Sequence, residues 1–377
     1  MVSVEYKKLG DIATYINGYA FKPEQRGSEG LPIIRIQDLT GNAYDLGYYN
    51  GDYPKKVELN DGDVLISWSA SLGVYLWNHG KALLNQHIFK VVFDKVEIDK
   101  FYFMYAVEYN LDKMSLKTHG ATMKHITKKD FDNVVIPYPD LDYQKEVAYR
   151  LTSLKGIIEK YQKQLDLLDE LVKARFVEMF GDLRINDKGW KYYKLDELTE
   201  LITDGEHATP KRTTQGIYLL SARNVLNHQL SLEDVDFIDC DEFDRISRRI
   251  IPKEGDVLIS CSGSIGRCCI VPKNIKFQMV RSIALLRFKS NINPVFAEYM
   301  ITSDYLQNQI NKSKTASSQA NLFQGKIKSL KGVVPPLELQ NQFASFVQEI
   351  DKSRSRIQKS LEASQELFDS LMQEYFG

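Results

Sequence analysis

Residue types that could carry catalysis occur in this chain, but none is arranged in the pattern that known catalytic or cofactor sites require. No segment matches the phosphate-binding loop G-x-x-x-x-G-K-S/T or the dinucleotide-binding motif G-x-G-x-x-G, and the polar loop Gly263–Gly266 is too short for either. The six histidines include no pair spaced four residues apart and no H-E-x-x-H motif, so they predict no zinc protease site.

The remaining catalytic candidates also lack a complete pattern. Pro139, Asp140 and Lys145 hint at the carboxylate cluster of a metal-dependent nuclease, but no second acid stands one residue before a lysine. There is no Asn-Pro-Pro-Tyr-type motif of the kind that amino-methyltransferases use to hold a flipped base. The four cysteines show no C-x-x-C spacing, so we expect reduced thiols in a cytoplasmic protein, with a zinc site as the alternative. We therefore predict that this chain has no catalytic residue, metal or cofactor of its own.

The charge of the chain is distributed unevenly, although its net value is −1. Four segments contain several Lys or Arg residues and no Asp or Glu: Lys113–Lys129, His207–Leu232, Val257–Ala297 and Tyr305–Leu337. Basic segments inside a neutral chain can form a local phosphate-binding face, so they favour a nucleic-acid partner. The alternative is chance clustering of charge on a solvated surface.

The elements that must position these residues form two repeats. With 377 residues, of which 43% are hydrophobic and 26% charged, the chain is long enough for two or three globular domains. Its apolar runs are short, as at Ile283–Leu286, and its first residues form no apolar core, so we expect neither a membrane-spanning helix nor a secretory signal. The six residues Gly62–Ser67 recur identically at Gly255–Ser260, and Gln144 is matched by Gln340. One period of nearly half the chain indicates a duplication.

Each repeat begins with a globular part in which short apolar strands alternate with turns and helices. Strands are predicted at Val64–Ser67, Phe89–Phe93, Val257–Ser260 and Ile283–Phe288, and helices at Phe101–Asn110 and Val295–Gln309. This mixture predicts an α/β or α+β globule in each half of the chain.

Each repeat ends in a long helix with the pattern of a coiled coil. From Gln144 to Phe180 and from Gln340 to Phe376, apolar residues recur at the heptad a and d positions. Two equal apolar stripes in one chain most simply bury each other, so we predict paired helices; the alternative is that each helix packs on its own globule alone. The predicted seam consists of Val147, Leu151, Leu154, Ile158, Leu165, Leu168, Val172, Phe343, Val347, Ile350, Ile357, Leu361, Phe368 and Leu371.

Four further segments complete the repeat: Gly120–Gln144 and Ala316–Gln340 before the long helices, and Arg175–Gly181 and Met372–Gly377 at their ends. Together with the duplicated Gly-Asp-Val-Leu-Ile-Ser segment and the Ser/Gly loop that follows it, their order resembles one family. This family is the specificity subunit of type I DNA restriction–modification systems. No single motif is specific, but their order, repeated twice along nearly the whole chain, is.

The resemblance implies an α+β fold with two tandem α/β target-recognition domains separated by two long helices, which form an antiparallel coiled coil with pseudo-twofold symmetry. The implied domains are residues 1–143 and 185–335, and the implied spacer helices are residues 144–184 and 336–377. Each domain is expected to read one half of a bipartite double-stranded DNA site. The helices are expected to set the spacer and to dock two methyltransferase subunits, which carry S-adenosylmethionine; restriction or translocase subunits could join this cytoplasmic complex, which has no membrane partner.

The chemistry of DNA readout selects candidate contacts within these domains. Bases are read by polar side chains such as Ser, Thr, Asn, Gln and Arg on loops, whereas Lys and Arg hold phosphates. The polar and basic loop residues chosen as DNA-binding candidates are Ser69, Ser71, Lys117, Thr118, His119, Thr122, Lys124, His125, Lys211, Arg212, Ser262, Ser264, Arg267, Lys312, Lys314, Ser317, Ser318, Gln319, Asn321 and Lys326. Met123 and His125 stand where the second repeat has Gln319 and Asn321, which predicts two different half-sites. The alternative is that these segments are tight turns between core strands or braces at the helix starts.

Two other classes of protein stay open on the sequence. One is a stand-alone DNA methyltransferase or nuclease with an unrecognised site, which incubation with DNA and labelled S-adenosylmethionine would reveal. The other is an anti-restriction protein that caps the methyltransferase subunits without reading DNA, which a DNA selection assay with the partner present would reveal.

Overall fold

The computed structural model describes residues 5–42, 45–117, 127–313 and 321–377, without the side chains of residues 115–117 and 313. The chain forms two compact units: unit 1 is Met1–Lys163 with Gln358–Gly377, and unit 2 is Gln164–Ile357. Each unit contains one globular part and a portion of both long helices. Among the described residues, no helix combines the length and the apolar character that crossing a bilayer requires.

Unit 1 contains ten strands among its described residues: β1 (Glu5–Lys8), β2 (Thr14–Asn17), β3 (Leu31–Ile34), β4 (Gly47–Tyr49), β5 (Glu58–Leu59), β6 (Val64–Ser67), β7 (Gly73–Leu76), β8 (Ala82–Leu84), β9 (Ile88–Val92) and β10 (Val135–Tyr138). Its helices are α1 (Leu9–Ile12), α2 (Ile36–Leu39), α3 (Lys100–Lys117), α4 (Lys128–Asp132) and the first part of α5 (Leu141–Phe180).

Unit 2 contains the strands β11 (Tyr192–Lys194), β12 (Thr199–Asp204), β13 (Ile217–Leu220), β14 (Val225–Leu226), β15 (Gln229–Leu230), β16 (Asp236–Ile238), β17 (Val257–Ser260), β18 (Cys268–Ile270), β19 (Phe277–Met279), β20 (Ile283–Phe288) and β21 (Lys331–Val333). Its helices are the last part of α5, α6 (Leu195–Leu198), α7 (Cys240–Ser247), α8 (Pro294–Thr302), α9 (Asp304–Ser313), α10 (Gln324–Ser329) and the first part of α11 (Leu337–Phe376). The end of α11 belongs to unit 1.

The same strand arrangement is built once in each unit, which confirms the duplication. The main sheet has the antiparallel order β2-β9-β6-β7 in unit 1 and β12-β20-β17-β18 in unit 2. A second sheet pairs β3 with β8 in unit 1 and β13 with β19 in unit 2, both in parallel. Strands β6 and β17 are buried along their whole length, so both of their faces are covered by other elements. This coverage explains why the predicted Val64–Ser67 and Val257–Ser260 strands read as continuous apolar runs.

One helix predicted in unit 2 is interrupted. The predicted helical stretch Val295–Gln309 is present, but it consists of two helices, because α8 ends at Thr302 and α9 begins at Asp304. Ser303 between them has an extended backbone, and its hydroxyl donates to the Met300 carbonyl at 2.6 Å. Serine competes in this way for helical backbone groups, which favours helix ends over helix interiors. The helix predicted in unit 1 is present and longer than expected, from Lys100 to Lys117.

The two long helices pack side by side within each unit. In unit 1, Leu151 near the start of α5 shares a core with Met372 and Phe376 at the end of α11. In unit 2, Val172 near the end of α5 shares a core with Phe343 at the start of α11. Because the start of one helix meets the end of the other, the pairing is antiparallel, as predicted, and the alternative that each helix packs on its own globule alone is wrong. All fourteen predicted seam residues are buried or partly buried.

A buried glutamine fixes the start of each long helix. Gln340 accepts a hydrogen bond from the Asn293 backbone N–H at 2.8 Å and donates to the Pro335 carbonyl at 2.8 Å. Gln144 makes the equivalent bonds in unit 1, to the N–H of Asp99 at 2.9 Å and to the carbonyl of Pro139 at 2.8 Å. The matched glutamines therefore join the first turn of each long helix to the residue that immediately precedes α3 or α8.

Candidate nucleic-acid interface

Four segments of unit 2 that are distant in sequence meet at one end of the main sheet. The Cys261 N–H donates to the Ser282 carbonyl at 2.8 Å, and the Cys261 carbonyl accepts from the Leu322 N–H at 2.9 Å. The Arg281 N–H donates to the Glu206 carbonyl at 3.0 Å. We call this group the unit 2 loop cluster; it consists of residues 205–208, 261–267, 280–282 and 321–323. It brings the predicted contacts Ser262 and Asn321 together, since their backbones form an isolated β-bridge.

A buried serine shapes the Ser/Gly loop of this cluster. The hydroxyl of Ser260, which is fully buried, donates to the Ser264 carbonyl at 2.6 Å and accepts from the Arg267 N–H at 3.0 Å. In unit 1, Ser67 is equally buried and its hydroxyl donates to the Ser71 carbonyl. The loop is therefore a tight turn between core strands, and the same bonds hold its tip in a fixed shape at the surface.

The structure separates the predicted loop serines by their exposure. Ser71 and Ser264 are exposed, and Ser262 is partly buried. Ser69 is 6% exposed, so its side chain does not reach the surface of unit 1. The exposed tips of the two loops therefore present Ser71 in unit 1 and Ser264 in unit 2.

The predicted basic contacts differ in their pairing. Arg212 forms an ion pair with Asp236 at 3.0 Å, so its charge is already offset by a carboxylate. The Lys211 backbone N–H donates to Glu242 at 3.1 Å. Arg267, Lys312 and Lys326 form no ion pair with any residue that the structure describes, which leaves their charge available to a phosphate.

Half of the predicted contacts lie outside the described residues. They are Thr118, His119, Thr122, Lys124 and His125, with the side chain of Lys117, in the first half of the chain, and Lys314, Ser317, Ser318 and Gln319 in the second. For these residues, contact with DNA remains a prediction from the sequence.

In each unit, a glycine outside the predicted contacts lies where two backbone segments approach each other closely. A Cβ at Gly205 would lie 2.3 Å from the Met279 carbonyl oxygen, and a Cβ at Gly18 would lie 1.9 Å from the Asn85 carbonyl oxygen. The following residues form equivalent parallel bridges, Glu206 with Val280 and Tyr19 with Asn85. The signal was present in the sequence, because Gly18 and Gly205 follow the corresponding strands β2 and β12 of the two repeats.

Acidic side chains beside the unit 2 loop cluster are neutralised by basic ones. Asp204 lies 2.7 Å from His207 Nε2 and 2.6 Å from Arg249 Nη2. Burial on its own would raise the pKa of Asp204, but the hydrogen bonds from these two residues hold it below its ordinary value. The hydrogen bonds from Arg245 lower the pKa of Glu242 to about 2. Both carboxylates stay ionised and paired, so their repulsion of a nearby phosphate is reduced.

The cysteines carry no reactive thiol at this cluster. Cys261, Cys268 and Cys269 are buried, and burial raises the pKa of the Cys261 thiol to about 12. All four cysteines are free thiols, as expected from the sequence. Within the described ranges, no group of three His, Cys, Asp or Glu side chains is placed to hold a metal ion.

Comparisons with known proteins identify the family. The model of the family described as "Type I restriction modification DNA specificity domain" matches residues 1–168 and again residues 187–365. The specificity subunit of the type I restriction enzyme EcoBI from Escherichia coli is 24% identical, over 94% of this chain and 80% of its own length. That of MjaVIII from Methanocaldococcus jannaschii is 22% identical, over 94% of this chain and 89% of its own length.

The fold agrees with these matches. The crystal structure of the type I restriction–modification system S subunit from M. genitalium aligns with a TM-score of 0.61 at 13% identity, over 100% of this chain and 96% of that chain. Two family domains in tandem, the duplicated sheets and the paired long helices all agree with this assignment. The chain belongs to the type I restriction–modification DNA specificity family.

Proposed function

We propose that this chain selects the DNA target of a type I restriction–modification complex, and that each unit reads one half of a bipartite site. The observation that carries the proposal is the repeated anchoring of the loops: Gly18 in unit 1 and Gly205 in unit 2 hold equivalent turns beside equivalent Ser/Gly loops. Each unit has its own sheets and loops, so each can recognise bases without help from the other. Duplicated readers suit a site whose two halves lie on one duplex.

The long helices are proposed to set the spacer and to dock two methyltransferase subunits. Apart from the buried seam, α5 presents large apolar side chains to solvent: Tyr149 is 75% exposed, Leu167 50% and Val177 53%. Apolar residues that recur on the outer face of a helix are typical of a protein-binding surface. This face supports docking along the helices.

Catalysis is proposed to reside in the partner subunits, which would hold S-adenosylmethionine. The proposal rests on the sequence, in which no phosphate loop, dinucleotide motif or amino-methyltransferase motif occurs. The purified chain, incubated with DNA and labelled S-adenosylmethionine, is expected to give no methylated or cleaved product. The same DNA is expected to be methylated when the methyltransferase subunit is added.

The experiment that tests the reading function is methylation mapping across the genome of cells that carry the methyltransferase partner with or without this chain. One bipartite methylated motif is expected in the cells that carry this chain, and it is expected to be absent from the cells that lack it. Residues 190–335 are then exchanged for the equivalent segment of a relative with another target. One half of the motif should change while the other half stays the same.

Two outcomes would contradict the proposal. If no motif depends on the chain, it is not the specificity component, and a fall in methylation caused by the chain would instead support the anti-restriction alternative. If the exchange alters both halves of the motif, the two units do not read DNA separately.

A further inference from the structure

The turn between β8 and β9 and the turn between β19 and β20 occupy equivalent places in their units. In unit 1, the Gln86 N–H donates to the Tyr19 carbonyl at 3.0 Å, and in unit 2 the Arg281 N–H donates to the Glu206 carbonyl at 3.0 Å. Asn85, the residue before Gln86, forms a parallel β-bridge with Tyr19, and Val280, the residue before Arg281, forms one with Glu206. Gln86 and Arg281 are therefore structural equivalents on backbones that are fixed by hydrogen bonds.

Within each turn, the neighbouring side chains are engaged in packing or hydrogen bonds. Asn85 is 7% exposed, and the His87 ring packs edge-on against Trp68 with 5.0 Å between the ring centres. In unit 2, the Ser282 hydroxyl accepts from the Ala222 N–H at 3.0 Å. Gln86 and Arg281 are exposed, and neither side chain has a hydrogen-bond or ion-pair partner among the residues that the structure describes.

The two turns adjoin the Ser/Gly loops that the sequence predicts to contact DNA. The Trp68 N–H donates to the His87 carbonyl at 3.3 Å, and the Cys261 N–H donates to the Ser282 carbonyl at 2.8 Å. Each exposed side chain is thus one residue away from a direct backbone link to such a loop. Arg281 also lies inside Val257–Ala297, the segment that contains no acidic residue.

We propose that Gln86 and Arg281 read one base each, an adenine in the half-site of unit 1 and a guanine in the half-site of unit 2. A glutamine amide can donate to and accept from the adenine N7 and N6 edge, and the arginine fork can donate twice to guanine O6 and N7. A side chain of either type that is held on a rigid turn, beside other readers and without an internal partner, suits this role. The inference rests on the proposed reading function and assigns two residues within it.

The test exchanges the two side chains and maps the methylated motif in cells that carry the methyltransferase partner. With Gln86→Arg, one adenine of one half-site is expected to become guanine; with Arg281→Gln, one guanine of the other half-site is expected to become adenine. A bidentate contact discriminates between bases by about 5- to 150-fold, so the change in preference should be of that order. Lys253→Ala is the control, since Lys253 is exposed at the opposite end of β17 from Cys261; its motif should equal that of the wild type.

The outcomes separate this inference from the proposed function. If the wild-type chain yields no motif, the proposed function itself fails. If the wild type yields a bipartite motif and either exchange variant yields the same one, the assignment of that residue is overturned. A uniform fall in methylation with Arg281→Gln, without a change of base, would mean a phosphate contact and would also overturn it. Where a variant gives no methylation in cells, the purified complex is tested on oligonucleotides with each base varied in turn, and the same criteria apply.

Discussion

Gly18 and Gly205 show how a single residue type determines the shape of a loop cluster. Both lie where two backbones approach so closely that no side chain fits, and both are followed by a residue that bridges to the turn carrying Gln86 or Arg281. The close approach positions the exposed side chain relative to the neighbouring Ser/Gly loop. A change at either glycine therefore affects the stability of its unit and the geometry of its loops together.

Gly205→Ala is expected to lower the free energy of unfolding of unit 2 by about 1–3 kcal/mol, because the new methyl group collides with backbone atoms that must move. The matched control is Gly325→Ala in α10, where a Cβ meets nothing within 4 Å. Alanine in a helix is favoured over glycine by roughly 0.5–1 kcal/mol, so the control should be neutral or stabilising. Hydrogen–deuterium exchange of the β20 amides measures both changes, and equal protection in the two variants would contradict the role of Gly205.

The sequence predicts the positions of the two Ser/Gly loops better than the state of each side chain. The two loops join β6 to β7 and β17 to β18, but Ser69 is buried and Arg212 is paired with Asp236. Burial and pairing depend on contacts between segments that are far apart in sequence, which the composition of one loop does not reveal. The sequence also does not single out Gln86, since the bond from the Trp68 N–H to the carbonyl of the neighbouring His87 forms through the pairing of β6 with β9.

At the level of elements, the duplicated segments are the part of the sequence that predicts the strands and helices best. The strands Val64–Ser67, Val257–Ser260 and Ile283–Phe288 have the predicted bounds, because buried strands read as short uninterrupted apolar runs. Helix ends were less predictable: the break at Ser303 depends on one hydroxyl that bonds to the preceding turn. The long α5 starts at Leu141, three residues before the predicted Gln144. Gln144 instead joins the first turn of the helix to Asp99 and Pro139 through its side-chain amide.

Gln340 is expected to contribute to stability through its buried amide. Gln340→Ala removes the partners of the Asn293 N–H and the Pro335 carbonyl, and a buried backbone group without a partner costs about 1–3 kcal/mol. Gln342→Ala, at an exposed position on the same turn of α11, should change the free energy of unfolding by less than about 0.5 kcal/mol. Hydrogen–deuterium exchange at the start of α8 compares the two variants; similar protection in both would show that the amide bonds are not needed.

At the scale of the whole molecule, neither sequence repeat is a complete folding unit. The core of unit 1 includes Met372 and Phe376, which come from the far end of the chain, and Tyr102 contacts the ring of Phe376 with 5.1 Å between the ring centres. The core of unit 2 includes Phe176 and Phe180, which come from the end of the first repeat. Each compact unit therefore needs residues from both repeats. A division of the sequence into consecutive domains does not show this exchange of helix ends.

The helices also make a length-dependent prediction about the DNA site. The chain passes from unit 1 to unit 2 within α5 after Lys163 and returns within α11 after Ile357. Seven residues inserted at both points keep the heptad pattern and lengthen each helix by about 10.5 Å, which equals about three base pairs at 3.4 Å each. If the helices space the two readers, the spacer of the methylated motif should grow by about three base pairs while both half-sites stay the same.

Inserting seven residues into α5 alone is the control, because it leaves the two helices unequal and part of the apolar seam without a partner. That variant should lose methylation at every spacer length. Placing the insertion after Lys163 avoids the buried Phe176 and Phe180 near the end of α5, where extra residues would disturb the core of unit 2. Methylation mapping reads out both variants. A doubly inserted chain that still methylates its motif with the original spacer would show that the helices join the two readers without setting their separation.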